Sequence, residues 1–289
     1  MQQRTIGDVS VSAIGLGAMP LSIDPVPDDA RADETVHAAL DAGVRLIDTA
    51  DAYTVEQGGF APGHNETVVA RALGSYGADT SDVLVATKGG HVRSGSGGWE
   101  VDGRPEHLRG ACEASLRRLG VEAIGLYQHH RPDPDVPYEE TMGALKDLHE
   151  AGLVRYVGIS NADPDQIRTA YEVIGAGLVS VQNQLSPAFR SSLPEVGVCD
   201  ELGLAFLPWS PLGGTGGRAG RLGSEHGAFA DIAEARGVSP QQVCLAWLLG
   251  LSPRVLPIPG ASRPQTISDS AAAADLELSD DERGTLDAA

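Results

Sequence analysis

Residues Arg45–Tyr53 read Arg-Leu-Ile-Asp-Thr-Ala-Asp-Ala-Tyr. A short apolar run breaks into a carboxylate at Asp48, and a phenol, Tyr53, follows five residues later. The run reads as a strand buried on both faces. The same plan recurs twice downstream. Val83–Lys88 (Val-Leu-Val-Ala-Thr-Lys) ends on an amine, and Ile124–His130 (Ile-Gly-Leu-Tyr-Gln-His-His) ends on imidazoles. Buried strands with polar chemistry at their C-terminal ends are the pattern of a parallel α/β architecture, in which sites form where strands stop.

Working outward, similar runs occupy Ala13–Ala18, Val154–Ser160, Leu178–Gln182, Leu204–Trp209 and Arg254–Pro259, which makes eight strands in all. Amphipathic stretches lie between them. Asp33–Ala42 stops at Gly43, and Pro105–Leu119 starts on Pro and stops at Gly120. Tyr138–Ala151, Pro164–Ile174, Leu193–Leu202 and Pro240–Leu249 follow, with a shorter helix over Asp231–Ala235. Eight βα units in about 250 residues predict a (β/α)₈ TIM barrel, a single α/β domain over residues 1–289. Alternation at Arg4–Val11 predicts a short N-terminal β-hairpin ahead of it. An open doubly wound sheet would need a Gly-x-Gly-x-x-Gly turn. Gly15 and Gly17 lack the third glycine, and Pro20, Pro25 and Pro27 stand where its helix would begin. Gly213–Gly223 reads as a mobile glycine-rich loop.

Composition narrows the function. The formal charge of −19 argues against nucleic-acid and anionic-membrane partners, both of which select basic surfaces. No apolar run reaches about eighteen residues, so no spanning helix is expected. Nothing in Met1–Ile14 reads as a secretory signal. Cys112, Cys199 and Cys244 are sparse, odd in number and unclustered, which points to reduced thiols and a cytoplasmic location. No His or Cys spacing suits a metal.

Asp48, Tyr53, Lys88 and His130 together form a kit for moving a proton onto or off an oxygen. Their order and spacing resemble the aldo-keto reductase family, whose tetrad is Asp, Tyr, Lys and His. The resemblance spans the chain through Gly15-Leu-Gly17, Gly63-His-Asn-Glu66, Gly158-Ile-Ser-Asn161, Val181-Gln-Asn183, Trp209-Ser-Pro-Leu-Gly213 and Pro257-Ile-Pro-Gly-Ala-Ser-Arg263. It implies reduction of an aldehyde or ketone with a nicotinamide cofactor, usually NADPH, held without a Rossmann domain.

Under that resemblance Tyr53 protonates the carbonyl oxygen. Lys88 lowers the phenol's pKa, Asp48 holds Lys88, and His130 hydrogen-bonds the substrate. Strand alternation lets only one of His129 and His130 face the mouth. Arg131 after His130 favours His130, with His129 packed behind the barrel. Ser160, Asn161 and Gln182 match positions that bind the nicotinamide carboxamide, and Trp209 matches the ring that stacks on it. Ser210, Pro211, Leu212, Gly213 and Gly214 would approach the pyrophosphate, with Gly260 in the last matched motif. Ser262 and Arg263 would meet the 2′-phosphate, which favours NADPH. Thr266, Asp269 and Ser270 stand at the adenine clamp, where the family often carries longer side chains. Met19–Pro27, Thr54–Gly63, Gly89–Arg104 and the C-terminal segment would set substrate choice, with Trp99 walling the pocket. Two other readings use the same scaffold. One is a cofactor-binding sensor or regulatory subunit with little turnover, against which the intact tetrad argues. The other is a lyase or isomerase with a Schiff base on Lys88, against which Asn161 and Gln182 argue. Oligomeric state stays open.

Overall fold

The computed structural model describes residues 1–23, 28–54, 61–93, 98–214 and 217–289. Two short strands, β1 (Gln3–Ile6) and β2 (Val9–Ser12), pair antiparallel as the expected hairpin. The barrel strands follow: β3 (Leu16–Gly17), β4 (Leu46–Asp48) and β5 (Leu84–Gly89). An antiparallel ribbon, β6 (His91–Arg93) and β7 (Trp99–Val101), interrupts them. They resume with β8 (Ile124–His129), β9 (Val154–Ser160), β10 (Leu178–Gln182) and β11 (Ala205–Phe206). The barrel strands form one parallel sheet in the order β11-β10-β9-β8-β5-β4-β3.

The eighth strand closes this sheet into a (β/α)₈ barrel. Val255 bridges Phe206 on one side and Gly260 bridges Gly17 on the other, both in parallel sense. Pro257 and Pro259 have no N–H to give, so toward β3 they only accept, from Gly15 N (2.9 Å) and Gly17 N (3.0 Å). That one-sided ladder leaves bridges at the seam in place of a regular strand. At Gly17 a Cβ would lie 2.8 Å from the Ile258 carbonyl oxygen, so the close approach of the two edges requires glycine there.

Alternation sorts the strand residues. Leu46, Leu84, Ala86, Leu126, Leu256 and Ile258 share one cluster inside the barrel, with Ile6 and Val11 of the hairpin plugging its N-terminal end. The alternate residues, such as Ile47 and Tyr127, pack outward against the helices. Continuing the inward set by two residues on β4, β5 and β8 brings in Asp48, Lys88 and Gln128. A polar layer thus caps the apolar core at the C-terminal face.

The helices depart from expectation in instructive places. The first long one runs Asp29–Asp41, four residues earlier than expected, because Asp28 caps it by accepting from Arg31 N at 3.1 Å. His64–Ser75 carries no side-chain N-cap, and Pro264–Ala272 carries none either, with Pro264 at its first turn as its start signal. Asp280–Asp287 does carry one, a capping box of Ser279 and Glu282. Within the glycine-rich stretch read as a loop, Arg218–Glu225 is helical and buries Leu222. Pro20–Ile23 forms a single helical turn where none was expected. Pro25 and Pro27, and parts of the substrate loops and of the glycine-rich stretch, lie outside the described residues.

Candidate active site

Lys88 is fully buried and at the centre of the polar layer. Its ammonium donates to Asp48 Oδ2 at 2.6 Å, to the Thr49 carbonyl at 2.9 Å and to the Tyr53 hydroxyl at 3.2 Å. All three ammonium hydrogens are therefore committed. The other Asp48 oxygen accepts from Gln182 Nε2 at 2.8 Å and Gln128 Nε2 at 3.2 Å. The Tyr53 and His130 rings meet edge to face, with centroids 5.6 Å apart. Four strands and one loop thus converge on one proton-handling cluster.

The motif Gly63–Glu66 holds those strands in place. Asn65 is buried, accepts from Thr49 Oγ1 at 2.6 Å, and donates to the Ala18 carbonyl at 2.9 Å and Ser22 Oγ at 2.7 Å. Ser22 in turn donates to the Tyr53 carbonyl at 3.0 Å. Glu66 accepts from Thr87 Oγ1 and pairs with Arg118, each at 2.5 Å. The residue after Asp48 and the residue before Lys88 are therefore both pinned from one helix start. A Cβ on Gly63, whose φ is +80°, would overlap the Arg118 side chain.

Electrostatics assign the protonation states. Burial works against the Lys88 ammonium, but Asp48 and then Tyr53 outweigh it and hold its pKa above the usual lysine value. Lys88 is charged. The Tyr53 phenol also stands above its usual value, because burial raises it more than Lys88 lowers it. The expected net lowering by Lys88 is thus corrected: that pull is present but outweighed, and the phenol keeps its proton. Burial, then the charges of Lys88 and Arg131, push His130 well down, so its imidazole is neutral. Its Nδ1 is buried without a partner. With no acceptor fixing a proton on Nδ1, the tautomer with hydrogen on Nε2 carries no penalty. His129 points the other way, as alternation requires. It is fully buried beside Tyr138, ring centroids 6.3 Å apart, and burial lowers its pKa to about 4.

A cleft of about 290 Å³ opens above this layer. Asp48, Tyr53, His130, Ser160, Asn161 and Gln182 line it, as do Trp209, Ser210, Pro211, Leu212, Gly214 and Gly260. Lys88 lies beneath its floor. Gly213, Ser262, Arg263, Thr266 and Ser270 do not line it; the last four follow its rim at Gly260, around the start of helix Pro264–Ala272. Asp269 turns away, accepting from Ser239 Oγ at 2.7 Å and Gln242 Nε2 at 2.6 Å.

The cleft suits an amide-bearing aromatic ligand. Asn161 spends both amide hydrogens, on the His130 carbonyl and Ser160 Oγ, each at 3.0 Å. Gln182 spends its hydrogens on Asp48 and on Gln128 Oε1 (3.3 Å). What these two residues have left is acceptor oxygen, the complement of a carboxamide NH₂. Trp209 Nε1 is buried and unpaired, an orphan donor at the cleft wall. Among the described residues, Asn161 (φ +58°) and Ser210 (φ +51°) are the non-glycine residues held in the left-handed region, and both line the cleft.

Sequence reading passed over Gln128 and His91. Gln128 sat in the quoted run, two residues before His130, and the alternation rule could have placed it inward. His91 belongs to the ribbon β6–β7, whose three-residue strands give almost no periodic signal.

The sequence profile of the Aldo/keto reductase family matches residues 13–289. The chain belongs to the aldo/keto reductase family. It is an oxidoreductase by that membership. This aldo/keto reductase is 33% identical to an uncharacterized oxidoreductase of Schizosaccharomyces pombe over 286 residues, 98% of this chain and 88% of the relative. A glycerol dehydrogenase from Gluconobacter oxydans superposes with a TM-score of 0.85 at 30% identity, over 99% of this chain and 94% of that one. An aldo/keto reductase from Klebsiella pneumoniae, solved in complex with NADP and acetate, superposes at 0.80 with 27% identity, over 99% and 94% of the two chains. Among the described residues of this aldo/keto reductase, no helix is long and apolar enough to cross a membrane, and no group of three or more His, Cys, Asp or Glu is placed to hold a metal.

Proposed function

We propose that this aldo/keto reductase reduces an aldehyde or ketone to the alcohol at the expense of NADPH, within one barrel domain. The observation that carries the reading is the charged, buried Lys88, joined to Asp48 at 2.6 Å and to Tyr53 at 3.2 Å under an open cleft. When bound, the reduced nicotinamide supplies a hydride, two electrons and one hydrogen, to the carbonyl carbon. Tyr53 gives its hydroxyl proton to the carbonyl oxygen, and the alcohol is complete. Lys88 stabilises the phenolate left behind, and Asp48 keeps Lys88 charged and aimed. His130, neutral, donates from Nε2 to the same oxygen and fixes the carbonyl's orientation. Ser160, Asn161 and Gln182 hold the carboxamide, Trp209 covers the nicotinamide face, and Ser210–Gly214 with Gly260 approach the pyrophosphate. Arg263 and Ser262 take the 2′-phosphate. A Schiff base on Lys88 is disfavoured, because an ammonium held protonated by a carboxylate is a poor nucleophile.

The test is NADPH consumption over a panel of aldehydes and ketones. Saturable loss of NADPH with stoichiometric alcohol supports the reading. Tight NADPH binding without consumption across the panel favours the sensor reading instead.

A further inference from the structure

The charge inside the cleft runs against the charge of the molecule. The chain carries −19 formally, which repels anions at long range. Of the charged side chains lining the cleft among the described residues, Asp48 is neutralised by Lys88, which leaves Arg131. Arg131 is exposed and makes no hydrogen bond or ion pair among the described residues. Asp133, two residues on, could have paired with it but is committed elsewhere, accepting from the backbone N–H of Gly103 at 2.8 Å and of Asp135 at 2.9 Å. The charge of Arg131 is felt by both His91 and His130, so it stands close to the two rings at the mouth. Both imidazoles are neutral at physiological pH, His91 because burial and then Arg131 bring it to about 4. The rings supply dipoles and flat surface there, and Arg131 supplies the charge.

A wall stands beside it. The His91 ring lies 4.8 Å from the His130 ring and stacks on Trp99, with centroids 4.5 Å apart and planes 23° apart. Arg93 covers the Trp99 ring at 3.4 Å and donates to the Thr54 carbonyl at 3.0 Å. Arg93 is therefore built into the wall, whereas Arg131 is available. Trp209 to Gly214, the residues assigned to the cofactor, belong to a different loop.

We infer that the site selects carbonyl substrates that also carry a carboxylate, with Arg131 as its counter-ion and the intervening carbon chain laid against His91 and Trp99. The inference rests on the reductase reading above. A planar guanidinium matches the two coplanar oxygens of a carboxylate, and one cation balances one negative charge.

The experiment compares two C4 aldehydes, 4-oxobutanoate and butanal, as substrates of the full chain with NADPH. The expected kcat/KM favours 4-oxobutanoate by roughly tenfold or more, the usual worth of a charge-assisted contact. In Arg131→Gln the ratio should collapse toward one, chiefly through KM for 4-oxobutanoate, and Arg131→Lys should restore part of it. Salt raised from about 0.05 to about 0.5 M should narrow the ratio in the wild type. Equal kcat/KM values in the wild type, or a ratio unchanged in an Arg131→Gln protein of normal melting temperature, would overturn the inference. If neither aldehyde consumes NADPH, the reductase reading is decided by the wider carbonyl panel, and calorimetric titration with butanoate decides the anion site alone. Binding that is lost in Arg131→Gln supports it; absent or equal binding in both proteins overturns it.

Discussion

Tyr53 and Lys88 divide one task between them. The phenol's raised pKa means that it carries its proton throughout the neutral range. Lys88 matters when that proton leaves. Tyr53→Phe keeps the ring against His130 but removes the proton, so carbonyl reduction is expected to fall by roughly 10²–10⁴-fold. NADPH affinity, measured by fluorescence titration, should hold. Near-normal turnover in Tyr53→Phe would remove it from the donor role. The neighbouring histidines make a sharper pair. His130→Ala should lose turnover with little change in stability, because the ring packs on Tyr53 and His91 beside the cleft and not in the apolar core. His129 does the reverse. Its folded pKa of about 4 lies below the unfolded 6.5, so the unfolded chain binds more protons between those values. Its share of stability is fully present above pH 6.5 and is lost as pH falls toward 4. From pH 7 to pH 5 that loss is about 2 kcal/mol. His129→Leu removes the titration at similar volume. Urea unfolding at both pH values should show a shallower acid loss in His129→Leu, with turnover retained. If His129→Leu instead loses turnover at unchanged stability, the register of β8 is off by one.

At the level of elements, the strands were written most clearly in the sequence. Val154–Ser160 and Leu178–Gln182 emerge with the boundaries their apolar runs predicted. Buried strands of Val, Ile and Leu between turn residues leave few other options. The placement of Asp48, Lys88 and His130 at the barrel mouth followed, because residues at strand ends take their direction from alternation. Helices started by glycine were illegible, since neither a capping side chain nor a proline announces them. The ribbon β6–β7 was hidden because its hold comes from tertiary contacts: His91 on Trp99 and His130, and Arg93 on Thr54. Arg4 is a similar case, a charged residue in a hairpin whose partners lie some 250 positions away. It donates to the carbonyls of Leu249 (2.6 Å), Ser252 (2.5 Å) and Val255 (2.5 Å). The hairpin thereby caps the end of helix Pro240–Leu251 and fastens the start of the closing strand. Arg4→Ala leaves these carbonyls short of a donor and is expected to cost roughly 1.5–3 kcal/mol. Denaturant unfolding reads this directly. An unchanged midpoint would mean that water replaces the guanidinium.

For the whole molecule, cofactor choice sets a general repulsion against a local attraction. NADPH differs from NADH by a 2′-phosphate worth about −1.5 to −2 charges at neutral pH. A body of −19 disfavours the more anionic cofactor at long range. Preference for NADPH therefore needs a cation within contact distance, where a direct pair outweighs a screened field. Arg263 is exposed at the start of helix Pro264–Ala272, and its guanidinium makes no ion pair or hydrogen bond among the described residues. The helix N-terminus adds partial positive charge of its own, worth about 0.3–1 kcal/mol in exposed settings. Arg263 supplies the larger share, a charge-assisted contact of about 1.5–3 kcal/mol, or roughly ten- to a hundredfold in affinity. Calorimetric titration with both cofactors should show that gap in the wild type. Arg263→Ala should close most of it by weakening NADPH while NADH stays put. The salt response separates the two forces: added salt should weaken NADPH binding to the wild type, where the local pair dominates. In Arg263→Ala, where long-range repulsion is left to act, salt should weaken it less or strengthen it. Equal affinity for both cofactors in the wild type, or a gap that survives Arg263→Ala, would place the 2′-phosphate somewhere other than this helix start.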